Sequence, residues 1–157
     1  AGRYFLDRPA LAAVALTTNS SALTAIGNDY AFEDVFSRQL EPLGSPGDVL
    51  VAITTSGGSP NVLKAVAAAH ALGMIVIGMT GARGARFVAL CDHALVTPSE
   101  VTPRIQEGHI AMGHTICEQV EKALFGAAVR RDAAAAKARA RKRAAKPAGG
   151  RRGRARR

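Results

Sequence analysis

The sequence has no tryptophan, and aromatic residues make up only 4% of it, although 48% of its residues are hydrophobic. Its core must therefore be built mainly from Ala, Val, Leu and Ile, which favours an α/β or helical domain over an aromatic-rich β-sandwich. Two cysteines, Cys91 and Cys117, sit in apolar segments outside any Cys-x-x-Cys or His/Cys cluster. They read as buried free thiols rather than a disulfide or a thiolate metal site. No apolar run approaches the ~18 residues a membrane span needs, and the N-terminus shows no signal-peptide pattern, so the expectation is a cytoplasmic protein without membrane contact.

Acidic residues are also scarce, 12 against 21 Lys and Arg, for a net charge of +9. Location changes the meaning of that number. Thirteen of the basic residues and one acid lie between Arg130 and Arg157, which leaves residues 1–129 with eight basic and eleven acidic residues. The body is mildly acidic and the tail strongly basic. Such a tail reads either as a solvated extension or as an arm with salt-sensitive, sequence-independent attraction to nucleic acid, and without an aromatic residue it has no stacking platform for specific recognition. The expected division is residues 1–126 as the folded domain and 127–157 as a basic Ala/Arg/Lys-rich tail without order.

Three short apolar runs, Ala12 to Leu16, Val49 to Ile53 and Met74 to Met79, have the length and near-continuous hydrophobicity of strands covered on both faces. His93 to Val96 is a weaker fourth. Helical patterns separate them at Tyr30 to Leu40, Asn61 to Leu72 and Arg83 to Cys91, and a long helix from Pro103 to Leu124 follows, ending near Gly126. Repeated strand and helix units with short connections predict an α/β fold, a parallel sheet flanked by helices. Ligands bind such sheets beyond the carboxyl ends of the strands.

The stretch Thr54-Thr55-Ser56-Gly57-Gly58-Ser59-Pro60-Asn61 occupies that position, directly after one apolar run and before a helix. Hydroxyls and glycines at a strand-to-helix turn allow backbone N–H groups and Ser/Thr oxygens to converge on a phosphate. The same residues serve equally well as an ordinary turn with Ser59 as N-cap and Pro60 in the first turn.

With its neighbours, this loop resembles the phosphosugar-binding loop of the SIS (sugar isomerase) domain family. Four further blocks narrow the resemblance to the phosphoheptose isomerase branch: Gly27-Asn28-Asp29, Phe36-Ser37-Arg38, Gly47-Asp48-Val49-Leu50 and Arg104-Ile105-Gln106-Glu107-Gly108-His109. The resemblance runs from Ala1 to about Phe125. It implies a flavodoxin-like or Rossmann-like sheet, a homotetramer with sites between subunits, and interconversion of sedoheptulose 7-phosphate and D-glycero-D-manno-heptose 7-phosphate through an enediolate. Carried over residue by residue, Thr54, Thr55, Ser56 and Ser59 hold the sugar phosphate, and Asn28, Asp29 and Gln106 contact substrate. His114 is the acid/base, and Gln106 and His114 are ligands of one zinc ion.

Spacing alone pairs Gln106 with His109, one turn away, whereas Gln106 and His114 are separated by a rise of ~12 Å on an ideal helix. His109 falls on the apolar stripe of Ile105, Met112 and Ile116 and reads as a packed or interface residue. Asn28 and Asp29 are equally suited to a turn and helix N-cap. His70 and His93 match no site.

Against the family pattern, the first strand, a Gly-Asn-Gly-Gly-Ser loop and a His/Glu helix carrying the remaining zinc ligands and the principal base are expected upstream of Ala1. On that reading this chain alone is inactive. The alternative function is a non-catalytic SIS module that binds a phosphosugar or associates with a replication initiator.

Overall fold

The computed structural model describes residues 2–144. Close contacts divide the chain into two units, Ala12–Ile116 and Ala1–Leu11 with Cys117–Arg157.

In the first unit, three strands, β1 (Val49–Ile53), β2 (Ile75–Gly81) and β3 (His93–Thr97), form a parallel sheet in the order β1-β2-β3. Val49 pairs with Ile75 and Ile77 with His93, which fixes the register. Before the sheet come α1 (Ser20–Asp29), a 3-10 turn (Phe32–Asp34) and α2 (Ser37–Leu40); α3 (Pro60–Ala71) follows β1 and α4 (Ala85–Val88) follows β2. The alternation of strand and helix is the one the apolar runs predict.

One sheet face carries the core. Ala52 and Val76 meet Leu40, Val66, Ala69, Met74 and Phe87, with Leu16, Leu50, Val62 and Leu63 around them. Phe87 is fully buried, so the single turn of α4 is fixed by one aromatic anchor rather than by length. Gly78 makes this possible, because a Cβ there would come within 2.8 Å of the Phe87 ring and 2.4 Å of the Cys91 sulfur. On the other face Val49, Val51 and Ile53 keep 44 to 52% of their surface.

Three expectations are corrected. Ala12 to Leu16 forms no strand; its apolar residue Leu16 packs against the core cluster instead, so an apolar run of strand length served as packing for a loop. Tyr30 to Leu40 is not one helix but the 3-10 turn and α2, and the helix in this region is α1, begun by Asn19, whose side chain accepts from the Ala22 N–H at 3.0 Å. Cys117 is exposed, while Cys91 is half-buried and donates to the Phe87 carbonyl at 3.2 Å. Burial, then Asp92, pushes the Cys91 thiol up, away from reactivity.

The final helix, α5 (Thr102–Ala144), runs well past the expected stop at Gly126. A helix-interior glycine costs only about 1 kcal/mol relative to Ala, and the Ala, Arg and Lys that follow are strong helix formers. The helix thus continues through residue 144, into the segment expected to lack order; residues 145–157 lie outside the described residues.

In the second unit, Glu121 of α5 is 2% exposed and gathers the N-terminal segment. Its carboxylate accepts from the Tyr4 N–H at 3.0 Å, the Phe5 N–H at 2.6 Å, the Leu6 N–H at 2.8 Å and Arg8 Nε at 2.9 Å. Burial opposes ionisation, but the three backbone donors and the guanidinium outweigh it and hold the Glu121 carboxyl at about 2.

Candidate functional site

The hydroxyl loop lies where a parallel sheet presents its carboxyl ends. Val49 to Ile53 ends as β1, Thr54 to Gly58 turn, and α3 begins at Pro60 with Ser59 at its N-cap. Ser59 does not cap the helix with its side chain. Its Oγ lies 3.0 Å from Thr54 Oγ1 instead, and Thr54 Oγ1 in turn accepts from the Gly57 N–H at 3.2 Å. Ser56 Oγ accepts from the Gly58 N–H at 3.2 Å. Thr54 is buried and ties the loop to itself, while Ser56 stands at the mouth.

Gly57 has φ +73°, a conformation that side-chain-bearing residues adopt only at a cost, and its position allows no side chain. A Cβ there would lie 2.7 Å from Gly84 Cα and 3.1 Å from Phe87 Cβ. The loop after β1 therefore abuts the turn after β2.

Backbone hydrogen bonds join the loops behind the three strands. Thr54 N–H donates to the Met79 carbonyl at 3.0 Å, Gly81 N–H to Thr55 at 3.2 Å and Ala82 N–H to Ser99 at 3.0 Å. Beyond them opens a small cleft of about 100 Å³ lined by Thr55, Ser56, Arg83, Glu100, Thr102 and Ile105. Arg83 and Glu100, both in its lining, form an ion pair. The hydrogen bond from Arg83, then its charge, holds the Glu100 carboxyl below the usual range, and the same contact raises Arg83.

The other expected residues lie elsewhere in the unit. Asn28 and Asp29 close the last turn of α1, exposed, with Asn28 Nδ2 donating to Asp29 Oδ1 at 2.8 Å. They are therefore neither a free turn nor an N-cap. Gln106 follows the cleft residue Ile105 on α5, and His114 lies two turns further along, both exposed. Because α5 is α-helical from Thr102, the rise between Gln106 and His114 stays ~12 Å, with no distorted first turn to shorten it. Among the described residues, no group of three His, Cys, Asp or Glu side chains is arranged to hold a metal.

His109 is 6% exposed, as its place on the apolar stripe predicts, and its Nε2 has no hydrogen-bond partner among the described residues. His70 Nε2 lies 2.9 Å from the Leu90 carbonyl, and His93 opens β3 at the surface. Arg83 and Glu100 are the residues that sequence reasoning missed. The signal was available in their positions, since each follows a strand whose carboxyl end borders the cleft.

A model of the SIS domain matches residues 1–81, just over half the chain. The chain belongs to the SIS domain family. Among similar proteins, a phosphoheptose isomerase of Bradyrhizobium sp. strain BTAi1 is 58% identical over 124 residues, 79% of this SIS chain and 63% of its own length. That of Aneurinibacillus thermoaerophilus is 51% identical over 123 residues, 78% of this chain and 62% of its own. The solved phosphoheptose isomerase of Neisseria gonorrhoeae matches with a TM-score of 0.69 at 53% identity, over 71% of this chain and 62% of that one. The one from Francisella tularensis gives 0.71 at 41% identity, over 74% and 63%. This SIS chain thus spans less than two thirds of the length of these relatives. The solved relatives share its parallel sheet flanked by helices. No helix among the described residues is long and apolar enough to cross a membrane.

Proposed function

We propose that this chain carries the phosphosugar-binding part of an isomerase acting on sedoheptulose 7-phosphate. The observation that supports this most strongly is the Thr54 to Ser59 loop, placed at the carboxyl ends of the parallel sheet and at the start of α3, in a chain whose relatives bear the name phosphoheptose isomerase. In this reading Thr55 and Ser56 donate to the phosphate oxygens, and the Thr54 and Ser59 hydroxyls hold the loop in shape around them. The positive end of α3 adds a favourable field. Asn28 and Asp29 hold sugar hydroxyls, and Gln106 orients the reacting end of the sugar.

Aldose-ketose isomerisation moves a proton from carbon to carbon while the neighbouring oxygens exchange one. His114 is our choice for the group that protonates or deprotonates oxygen, since an imidazole has one nitrogen that donates a proton and one that accepts. The carbon base is not supplied by the cleft. Its carboxylate, Glu100, serves as the ion-pair partner of Arg83 in the empty cleft rather than as the carbon base. We therefore expect this chain alone to bind the substrate without appreciable turnover.

Calorimetry with sedoheptulose 7-phosphate and with unphosphorylated sedoheptulose tests the reading. The phosphorylated sugar should bind at least tenfold tighter, and Ser56→Ala should remove most of that difference. Equal binding of the two sugars would refute it, and robust turnover by this chain would refute the expectation about the base. One zinc ion per site, a homotetramer, a cytoplasmic location and nonspecific nucleic-acid contact through residues 127–157 are proposed too. The first two rest on the family resemblance, the third on the lack of an apolar run long enough to span a membrane, and the last on the basic composition of that segment.

A further inference from the structure

We propose that Arg83 is an exchangeable anion contact of the phosphate cleft, held by Glu100 in the empty site and transferred to the sugar phosphate on binding. The proposal rests on the reading of the Thr54 to Ser59 loop as the phosphate site and adds to it a cation that the loop itself lacks. Arg83 and Glu100 are the two charged residues among those lining the cleft, in direct contact with each other, and Thr55 and Ser56 belong to the same lining. Their ion pair is 17 residues apart in sequence, so it records the convergence of two strand ends rather than a local preference.

The backbone that carries Arg83 is fixed against the loop. Gly84 lies so close to Gly57 and Thr80 that a Cβ on Gly57 would meet Gly84 Cα at 2.7 Å, and a Cβ on Gly84 would meet Thr80 Oγ1 at 2.3 Å. Ala82 N–H is bonded to the Ser99 carbonyl, one residue before Glu100. The Arg83 side chain, by contrast, is 70% exposed and that of Glu100 57% exposed. An anchored main chain and a solvated side chain let the guanidinium change partners without moving the fold.

The direction of exchange follows from chemistry. An exposed ion pair is a weak interaction, because water and salt screen it. A sugar phosphate carries close to two charges on three acceptor oxygens and matches the guanidinium fork. Glu100 then acts as an intramolecular competitor that lowers affinity for weaker anions, so the pair selects phosphate over carboxylate ligands. Released from Arg83, Glu100 repels a second anion at the mouth.

Inorganic phosphate binding to the full chain, followed by phosphorus NMR at low salt, tests this with Arg83→Gln, Glu100→Gln, Ser56→Ala and the surface control Arg86→Gln. Arg83→Gln should weaken binding at least fivefold, Glu100→Gln should tighten it about threefold, and Arg86→Gln should leave it unchanged. The double variant Arg83→Gln/Glu100→Gln should bind more weakly than wild type and no more weakly than Arg83→Gln, because removing Glu100 relieves its repulsion without restoring the cation. Wild-type binding by Arg83→Gln beside a weakened Ser56→Ala overturns the proposal and leaves the loop reading standing. An unchanged Ser56→Ala overturns the loop reading and the proposal with it. Weaker binding by Glu100→Gln, or equal losses in Arg83→Gln and Arg86→Gln, also overturns it, since Glu100 would then assist the anion or charge alone would account for the effect.

Discussion

Gly57 offers a quantitative check of how the phosphate loop is built, because two other glycines separate the terms. Gly57 and Gly47 both have positive φ, +73° and +88°, so an alanine at either site meets the left-handed backbone penalty of about 1 kcal/mol. At Gly47 nothing lies within 4 Å of the added Cβ, whereas at Gly57 the Cβ would reach 2.7 Å from Gly84 Cα. That neighbour is backbone and cannot rotate away. Relieving the overlap requires the β2 turn to shift and disturbs the packing of Phe87, at a further cost of about 1 to 3 kcal/mol. Gly58 has no positive φ, and its nearest neighbour is 3.8 Å away, so it is the neutral reference. Urea unfolding followed by circular dichroism should therefore rank Gly58→Ala near wild type, Gly47→Ala about 1 kcal/mol lower and Gly57→Ala about 2 to 4 kcal/mol lower. Gly57→Ala should also lose phosphate affinity, while Gly47→Ala keeps it. Equal stability of Gly57→Ala and Gly47→Ala would refute the close approach of the two loops.

Two further outcomes follow from buried groups. The Glu121 carboxyl is depressed to about 2 in the folded chain, below its ordinary value of about 4.3, so its stabilisation of the N-terminal segment is full above that value and is lost as pH falls toward 2. The amide resonances of Tyr4, Phe5 and Leu6 should shift with a midpoint near 2 and not in Glu121→Gln; a midpoint near 4.3 would show the carboxylate to be unbonded. Phe87→Ala should destabilise the chain by about 3 to 5 kcal/mol, since the ring is fully buried against β2, and a urea midpoint close to wild type would contradict its role as the anchor of α4.

The central sheet was legible because hydrophobic pattern is a local property. Val49 to Ile53 reads as a strand covered on both faces and is a strand, to the residue, but with the Val49, Val51 and Ile53 face exposed, and Asn61 to Leu72 differs from α3 by a single residue at each end. The hydroxyl loop was legible for the same reason, being punctuated by glycine and proline. What the pattern misreads is apolar sequence with another use. Ala12 to Leu16 has the composition of a strand, yet Leu16 packs on the core and the Leu16 carbonyl accepts from Gln39 Nε2 at 3.0 Å rather than from a neighbouring strand. Which distant polar groups pair with each other was not legible. Glu121 and Tyr4 are 117 residues apart, and nothing near either residue specifies the other. Arg83 and Glu100 are similar, since only closure of β2 and β3 in register brings their loops together.

The joints behind the cleft are made by main chain: Thr54 to Met79, Gly81 to Thr55 and Ala82 to Ser99. A peptide group keeps its N–H and carbonyl whatever side chain it carries, proline at a donor position excepted. The exposed residues at the mouth can therefore be exchanged with little effect on how the strand ends are joined. Variants at Ser56, Arg83, Glu100 and Thr102 should fold as the parent does, which makes this cleft a suitable place to redesign anion preference by saturation mutagenesis.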